Sequence, residues 1–117
     1  MTMQEFFEVT LANVLRVVPC SCPVVMRDNG EKALGSTFFD TDMRPVEIVI
    51  DDYFVENNWL AASGSVVGKA LVELAGDTLI GTICHEIAHL THFRHGKKHT
   101  RLTQEYIARL GVTEEIK

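Results

Sequence analysis

Cysteine is scarce in this chain. Cys20, Cys22 and Cys84 are the only three among 117 residues, too few for a disulfide framework. Cys20 and Cys22 lie one residue apart, but no second cysteine pair exists to complete a thiolate metal site. All three read as structural thiols. Long apolar runs are also missing, which argues against a membrane span. The opening Met1-Thr2-Met3-Gln4-Glu5 lacks the basic start of a secretory signal, so the expectation is a cytoplasmic protein without a membrane partner. Nor is there an excess of basic residues: 11 Lys and Arg stand against 16 Asp and Glu, for a net charge of −5. That balance excludes a surface that attracts nucleic acid over its whole extent. With no repeats, no low-complexity tract and no linker, residues 1–117 read as one domain, long enough for one modest core.

What is present begins with an amphipathic pattern over residues 3–18. Met3, Phe7, Leu11, Val14 and Val18 share one helical face, and Pro19 stops the pattern. Three strand-like pieces follow. Pro23 to Arg27 and Ala33 to Phe39 flank Asp28-Asn29-Gly30, a turn signal that predicts a hairpin between them. Val46 to Ile50 is rich in β-branched residues and predicts a third strand, one that could border a cleft and pair with an extended peptide. Asp51-Asp52 predicts the cap of a short helix through Asn58, and Ala61 to Ser65 a connecting loop. Val66 to Ala75 predicts a helix despite Gly68. A last helix is expected from about Lys98 to Leu110, with Gly111 as its stop. The class is α+β: an N-terminal helix, a short three-stranded sheet and C-terminal helices.

The chemistry is concentrated between His85 and His99. His85-Glu86-Ile87-Ala88-His89 reads H-E-x-x-H. Leu79, Ile80, Ile83, Ile87 and Leu90 set a helical stripe around it, with Asp77 as the expected N-cap and Gly96 as the expected stop. On a helix His85 and His89 share one face about 6 Å apart along the axis, where two imidazoles can converge on one Zn²⁺. Glu86 then stands beside the metal, placed to take a proton from an activated water. Catalytic zinc usually keeps three protein ligands. His95 is the expected third, because it lies past the helix end, where the chain can fold back. His92 would have to reach back past His89. His99 falls in the next element, where it could contact substrate or stand behind the ligands. For the oxyanion that forms in acyl chemistry, Tyr106 or His99 could donate, although Tyr106 also suits the core.

The segment His85-Glu86-Ile87-Ala88-His89-Leu90, followed by His95-Gly96-Lys97-Lys98, resembles the SprT-like and WLM-type zinc metallopeptidases. Those families read approximately H-E-L-x-H-L, a short loop, then H-G/S-x-x-F. The specific match covers about residues 77–110, and Ile48-Val49-Ile50-Asp51 is similar to the strand that leads toward their active-site helix. The resemblance implies a small zincin-like domain with one Zn²⁺ per chain on His85, His89 and His95, and Glu86 as general base. It departs from the families at His99, where they usually carry an aromatic residue, and at residues 52–76, a long insertion for so small a core. The cysteine-rich ribbon that follows the catalytic core in SprT proteins is absent. Metzincins want glycine at position 92, which is His92, and a methionine turn downstream, whereas the last methionine is Met43. Peptide deformylases use a cysteine ligand in a Gly-Cys-Leu context that Cys20 and Cys22 lack. A ribosomal-RNA endonuclease family has the same three-histidine spacing without a glutamate at the position of Glu86.

These residues predict a zinc-dependent peptidase acting on a protein or peptide. A zinc-stabilised interaction module without turnover and a metal-dependent nucleic-acid hydrolase are the alternatives. Arg94, Lys97, Lys98 and Arg101 form a local basic patch beside the motif. Lys97 and Lys98 fall where a helix start disfavours cations, so an anionic partner, nucleic acid among the candidates, is a further expectation.

Overall fold

Thr2 and Glu5 start the first helix by satisfying each other's backbone. Thr2 Oγ1 accepts from the Glu5 N–H at 3.1 Å and Glu5 Oε1 accepts from the Thr2 N–H at 2.8 Å, a capping box. From there a computed structural model describes residues 1–30 and 33–115. The elements are α1 (Met3–Leu15), β1 (Val24–Arg27), β2 (Gly35–Phe39), β3 (Pro45–Asp51), α2 (Asp52–Ala62), α3 (Val66–Ala75), α4 (Leu79–Ala88) and α5 (Lys97–Glu115). This is the α+β class expected. α1 stops three residues short of the predicted end, yet Val18 remains buried with Phe7 and Val14.

The predicted β1–β2 hairpin does not form. The sheet order is β1-β3-β2, with β1 parallel and β2 antiparallel to β3. β3 takes the centre because Ile48, Val49 and Ile50 are all buried, a continuous apolar run that only a strand covered on both faces requires. The hairpin lies instead between β2 and β3. Asp40 closes it, its Oδ1 accepting from the Asp42 and Arg44 N–H groups at 2.8 and 2.9 Å. β3 therefore has no free edge for an added strand; the outer edges belong to β1 and β2.

α2 begins where β3 ends. Asp51 Oδ2 accepts from the Phe54 N–H at 3.3 Å, and the helix runs on to Ala62, four residues past the predicted end. Ala61 and Ala62 are thus its last turn rather than loop, and only Ser63 to Ser65 connect it to α3. A Cβ on Gly68 would lie 2.8 Å from the Ala61 nitrogen and 2.9 Å from Leu60 Cβ. The glycine that lowers helix propensity in α3 is what lets α3 press against α2. No helix among the described residues is long and apolar enough to cross a membrane.

α4 is the central helix. It lies against β2 and β3 on one side and α5 on the other. Leu79, Ile83, Cys84, Ile87 and Ala88 join Ile48, Ile50, Phe54 and Val55 in the core. A helix apolar almost all round has no place but the interior, and of its last four residues only His85 is not buried.

Candidate metal centre

Thr78, not Asp77, is the N-cap of α4; its Oγ1 accepts from the Gly81 N–H at 3.0 Å. Asp77 supports the same turn by accepting from Thr82 Oγ1 at 3.1 Å. The helix ends at Ala88, with His89 as its C-cap, far short of Gly96. The early stop matters for the site. His89 leaves the helix as the chain turns, and residues 90–96 are free to bring His95 back over the motif. Gly96 then immediately precedes α5, which continues through Gly111 to Glu115, so neither glycine ends a helix.

Three imidazole nitrogens converge. His95 Nε2 stands 3.1 Å from both His85 Nε2 and His89 Nε2. Nitrogens bonded about 2.0–2.1 Å from a tetrahedral centre lie about 3.3–3.4 Å apart, so His95 stands close to the separation a shared cation needs from each of the other two, and all three ligand atoms lie within 4.8 Å of one another. The His89 tautomer agrees. His89 Nδ1 faces the carbonyl oxygens of His92 and Phe93 at 3.2 and 3.1 Å and must therefore carry the proton as donor. Neutral His89 then turns the Nε2 lone pair inward, the usual outer support of a metal-ligating histidine. Burial, followed by the neighbouring imidazoles His99, His89 and His95, pushes the His85 pKa down to about 4. Burial likewise lowers His89. Both are neutral and ready to ligate at pH 7. The three histidines could hold one metal ion.

The remaining histidines divide as follows. His92 contributes its backbone carbonyl and not its ring. His99 is buried at 2 % exposure. Its Nε2 donates to the His85 carbonyl oxygen at 2.9 Å, and its ring stacks on His89 at 4.0 Å between centroids. It stands behind two members of the trio and ties α5 to α4. Tyr106 is buried at 5 % exposure and lines a hollow with Cys20, Ile87, Leu90 and Thr91, outside the lining of the clefts around the trio. That burial fits the core role. Burial lifts the Cys84 thiol to about 12 and the Cys22 thiol to about 11.

Glu86 is buried, and burial raises its pKa above the ordinary carboxylate value. Thr37 on β2 opposes that shift: its hydroxyl stands 2.8 Å from Glu86 Oε1 and 3.0 Å from the Glu86 carbonyl oxygen. The other carboxylate oxygen, Oε2, lies 3.8 Å from His85 Nε2, facing the trio. Gly35, two residues before Thr37, admits the carboxylate stem; a Cβ there would lie 3.0 Å from Glu86 Cγ and 3.2 Å from Ile50 Cδ1. Thr37 and Gly35 are the site residues that sequence reasoning missed. Nothing in the local pattern of β2 marks them, since their partner Glu86 lies 49 residues beyond Thr37 and further still from Gly35.

The trio opens onto two adjoining hollows. One, of about 310 Å³, runs along β2 past Ser36, Thr37, Phe39 and Glu86. The other, of about 520 Å³, is walled by residues 91–99, including Arg94, Lys97 and Lys98. His95 and Phe93 belong to both, and Phe93 meets Phe39 edge-on at 5.2 Å. Arg94, Lys97, Lys98 and Arg101 are all exposed. Comparison of the chain with protein-family models, curated proteins and solved structures finds no match.

Proposed function

We propose that this protein is a zinc-dependent peptidase of zincin-like build, akin to the SprT-like and WLM-type enzymes. The observation that carries the reading is the pairing of the His85, His89 and His95 trio with a buried carboxylate whose free oxygen faces it. A site that only stabilises structure needs no acid there, and burying one costs free energy. Three converging imidazoles suit Zn²⁺. Bound there, the ion supplies Lewis acidity that polarises a carbonyl and acidifies water.

The chain's own residues do the rest. Glu86, with Oε1 held by Thr37, keeps Oε2 as the proton acceptor. Water oxygen adds to the peptide carbonyl carbon as its proton passes to Oε2. The C–N bond breaks as that proton passes on to the leaving amine. A pKa raised by burial favours both halves of this transfer, because it brings the carboxyl closer to neutral pH. The free edge of β2 runs beside the site and can pair with the backbone of an extended substrate, the role that β3 is too central to play.

The test compares zinc-loaded wild type with Glu86→Gln on unstructured polypeptides. The variant keeps one zinc per chain and loses about 10²-fold or more in turnover. Equal turnover by the two proteins removes Glu86 from the reaction.

A further inference from the structure

We infer that the wall formed by Arg94, Lys97 and Lys98 makes the site select segments with acidic side chains on one flank of the reacting bond. This rests on the peptidase reading for the reaction, though not for the binding.

The two hollows beside the trio differ in chemistry. The β2 side offers Ser36, Thr37 and Phe39, with no cation. The other side carries three cations within five residues, in a hollow of about 520 Å³ that includes His95. A chain laid across the trio meets both. Among the described residues the ion pairs made by lysine or arginine are Arg27–Glu47 and Arg109–Glu105, so none of the three cations has an acidic partner. Their placement is also unfavourable for the fold. Lys97 and Lys98 begin a 19-residue helix with no acid in its first turn, where the helix dipole repels cations. Like charges on adjacent residues repel each other as well. In a chain of net charge −5, a cationic wall confined to the mouth of the site is complementary to an anionic ligand.

The extent of the wall favours a short acidic peptide over a nucleic acid. Proteins that track a phosphate backbone make about 6–10 phosphate contacts. Here three cations line the hollow, and Arg101, one turn further along α5, lies outside that lining. The acidic remainder of the surface would repel a polyanion that ran past it.

The test uses Glu86→Gln protein loaded with zinc, so that bound peptide is not cleaved. Three fluorescein-labelled decapeptides of one framework are titrated by anisotropy, carrying Glu-Glu, Ala-Ala or Lys-Lys at the same two positions. The acidic peptide binds tightest at low salt, and its advantage shrinks as salt screens the exposed charges. Lys97→Glu with Lys98→Glu lowers its affinity about five- to tenfold, two exposed charge contacts being reversed, and raises that of the basic peptide, with zinc content unchanged. Equal binding of the three peptides, or an order that survives the charge reversal, overturns the inference. So does a ten-nucleotide single-stranded DNA that binds more tightly than the acidic peptide and displaces it, which assigns the wall to nucleic acid. If the acidic peptide binds as stated but zinc-loaded wild type cleaves none of the three, acidic recognition stands and the peptidase reading falls.

Discussion

Replacing Thr37 with valine keeps the shape of the side chain and removes its hydroxyl. That hydroxyl lies 2.8 Å from an oxygen of Glu86, a carboxylate only 6 % exposed. A hydrogen bond to a charged group is worth about 1.5–3 kcal/mol, and the added methyl recovers up to about 0.8 kcal/mol of apolar burial. Thr37→Val is therefore expected to cost about 1–2 kcal/mol at pH 8, a fall in Tm of about 4–8 °C for a domain of this size. The loss depends on pH, and its sign is fixed by the hydrogen bond, which holds the Glu86 pKa down against burial. Without it the pKa rises further. A carboxyl whose folded pKa is raised weakens the fold as pH climbs through that value, and the variant pays more of this penalty than wild type. The deficit is thus largest where Glu86 is ionised and shrinks toward pH 5.

Urea unfolding of chelator-treated protein at pH 8 and pH 5 measures the deficit without interference from bound metal. The control is the same substitution in Glu86→Gln protein. There the acceptor is neutral and its bond is worth about 0.5–1.5 kcal/mol, so Thr37→Val should cost about 1 kcal/mol less. An unchanged midpoint at pH 8, or an equal loss in both backgrounds, refutes the claim that Thr37 holds the charged carboxylate.

Metal titrations should rank the histidines by what each contributes. His95→Ala, which removes a member of the trio, lowers zinc affinity more than about 100-fold, beyond the range typical of outer partners. His99→Ala loses an outer support and falls within about 10–100-fold. His92→Ala, whose role is a backbone carbonyl, stays near wild type; a collapse there with His95→Ala unaffected would name the wrong ligand. Acid should destabilise the metal-free protein. The His85 pKa is down at about 4 from an ordinary 6.5, and His89 and His99 are lowered too. Between those values the unfolded chain binds more protons, so stability is lost as pH falls from 6.5 toward 4. Glu86, with its raised pKa, opposes this in part. A Tm that holds or rises between pH 7 and pH 5 contradicts the histidine burial described above.

The parts of the fold that could be read directly from the chain were those encoded by near neighbours. A period of three and four residues places His85 and the Ile83–Ile87 stripe on α4, with His89 at its C-cap, whatever surrounds them. The order of the strands depends on which of three short apolar segments is most hydrophobic, a comparison across residues 23–50. Gly30 does take the positive φ that an Asn-Gly pair suits, at 81°, but such a pair does not dictate that its flanking strands pair. Gly68 shows the same limit from the other side. Its cost to α3 is local and visible, whereas its use is a contact with Ala61 that exists only after two helices meet.

The candidate site divides along the same line, and the division has a physical cause. Its donors come from one stretch of 11 residues, His85 to His95, so spacing and a single reversal of the chain bring them together. What tunes them comes from elsewhere. Thr37 reaches Glu86 across 49 residues, and Gly35 leaves space for the same side chain. His99 closes the back of the trio only because α5 turns onto α4. A motif can thus name the atoms that meet a metal while leaving open how basic the neighbouring carboxylate is. That property depends on burial and on one hydroxyl from an edge strand. A second protein with the same fifteen residues and valine at position 37 would show the same pattern but hold Glu86 with a higher pKa and a looser side chain. The substitution proposed above makes that comparison within one fold.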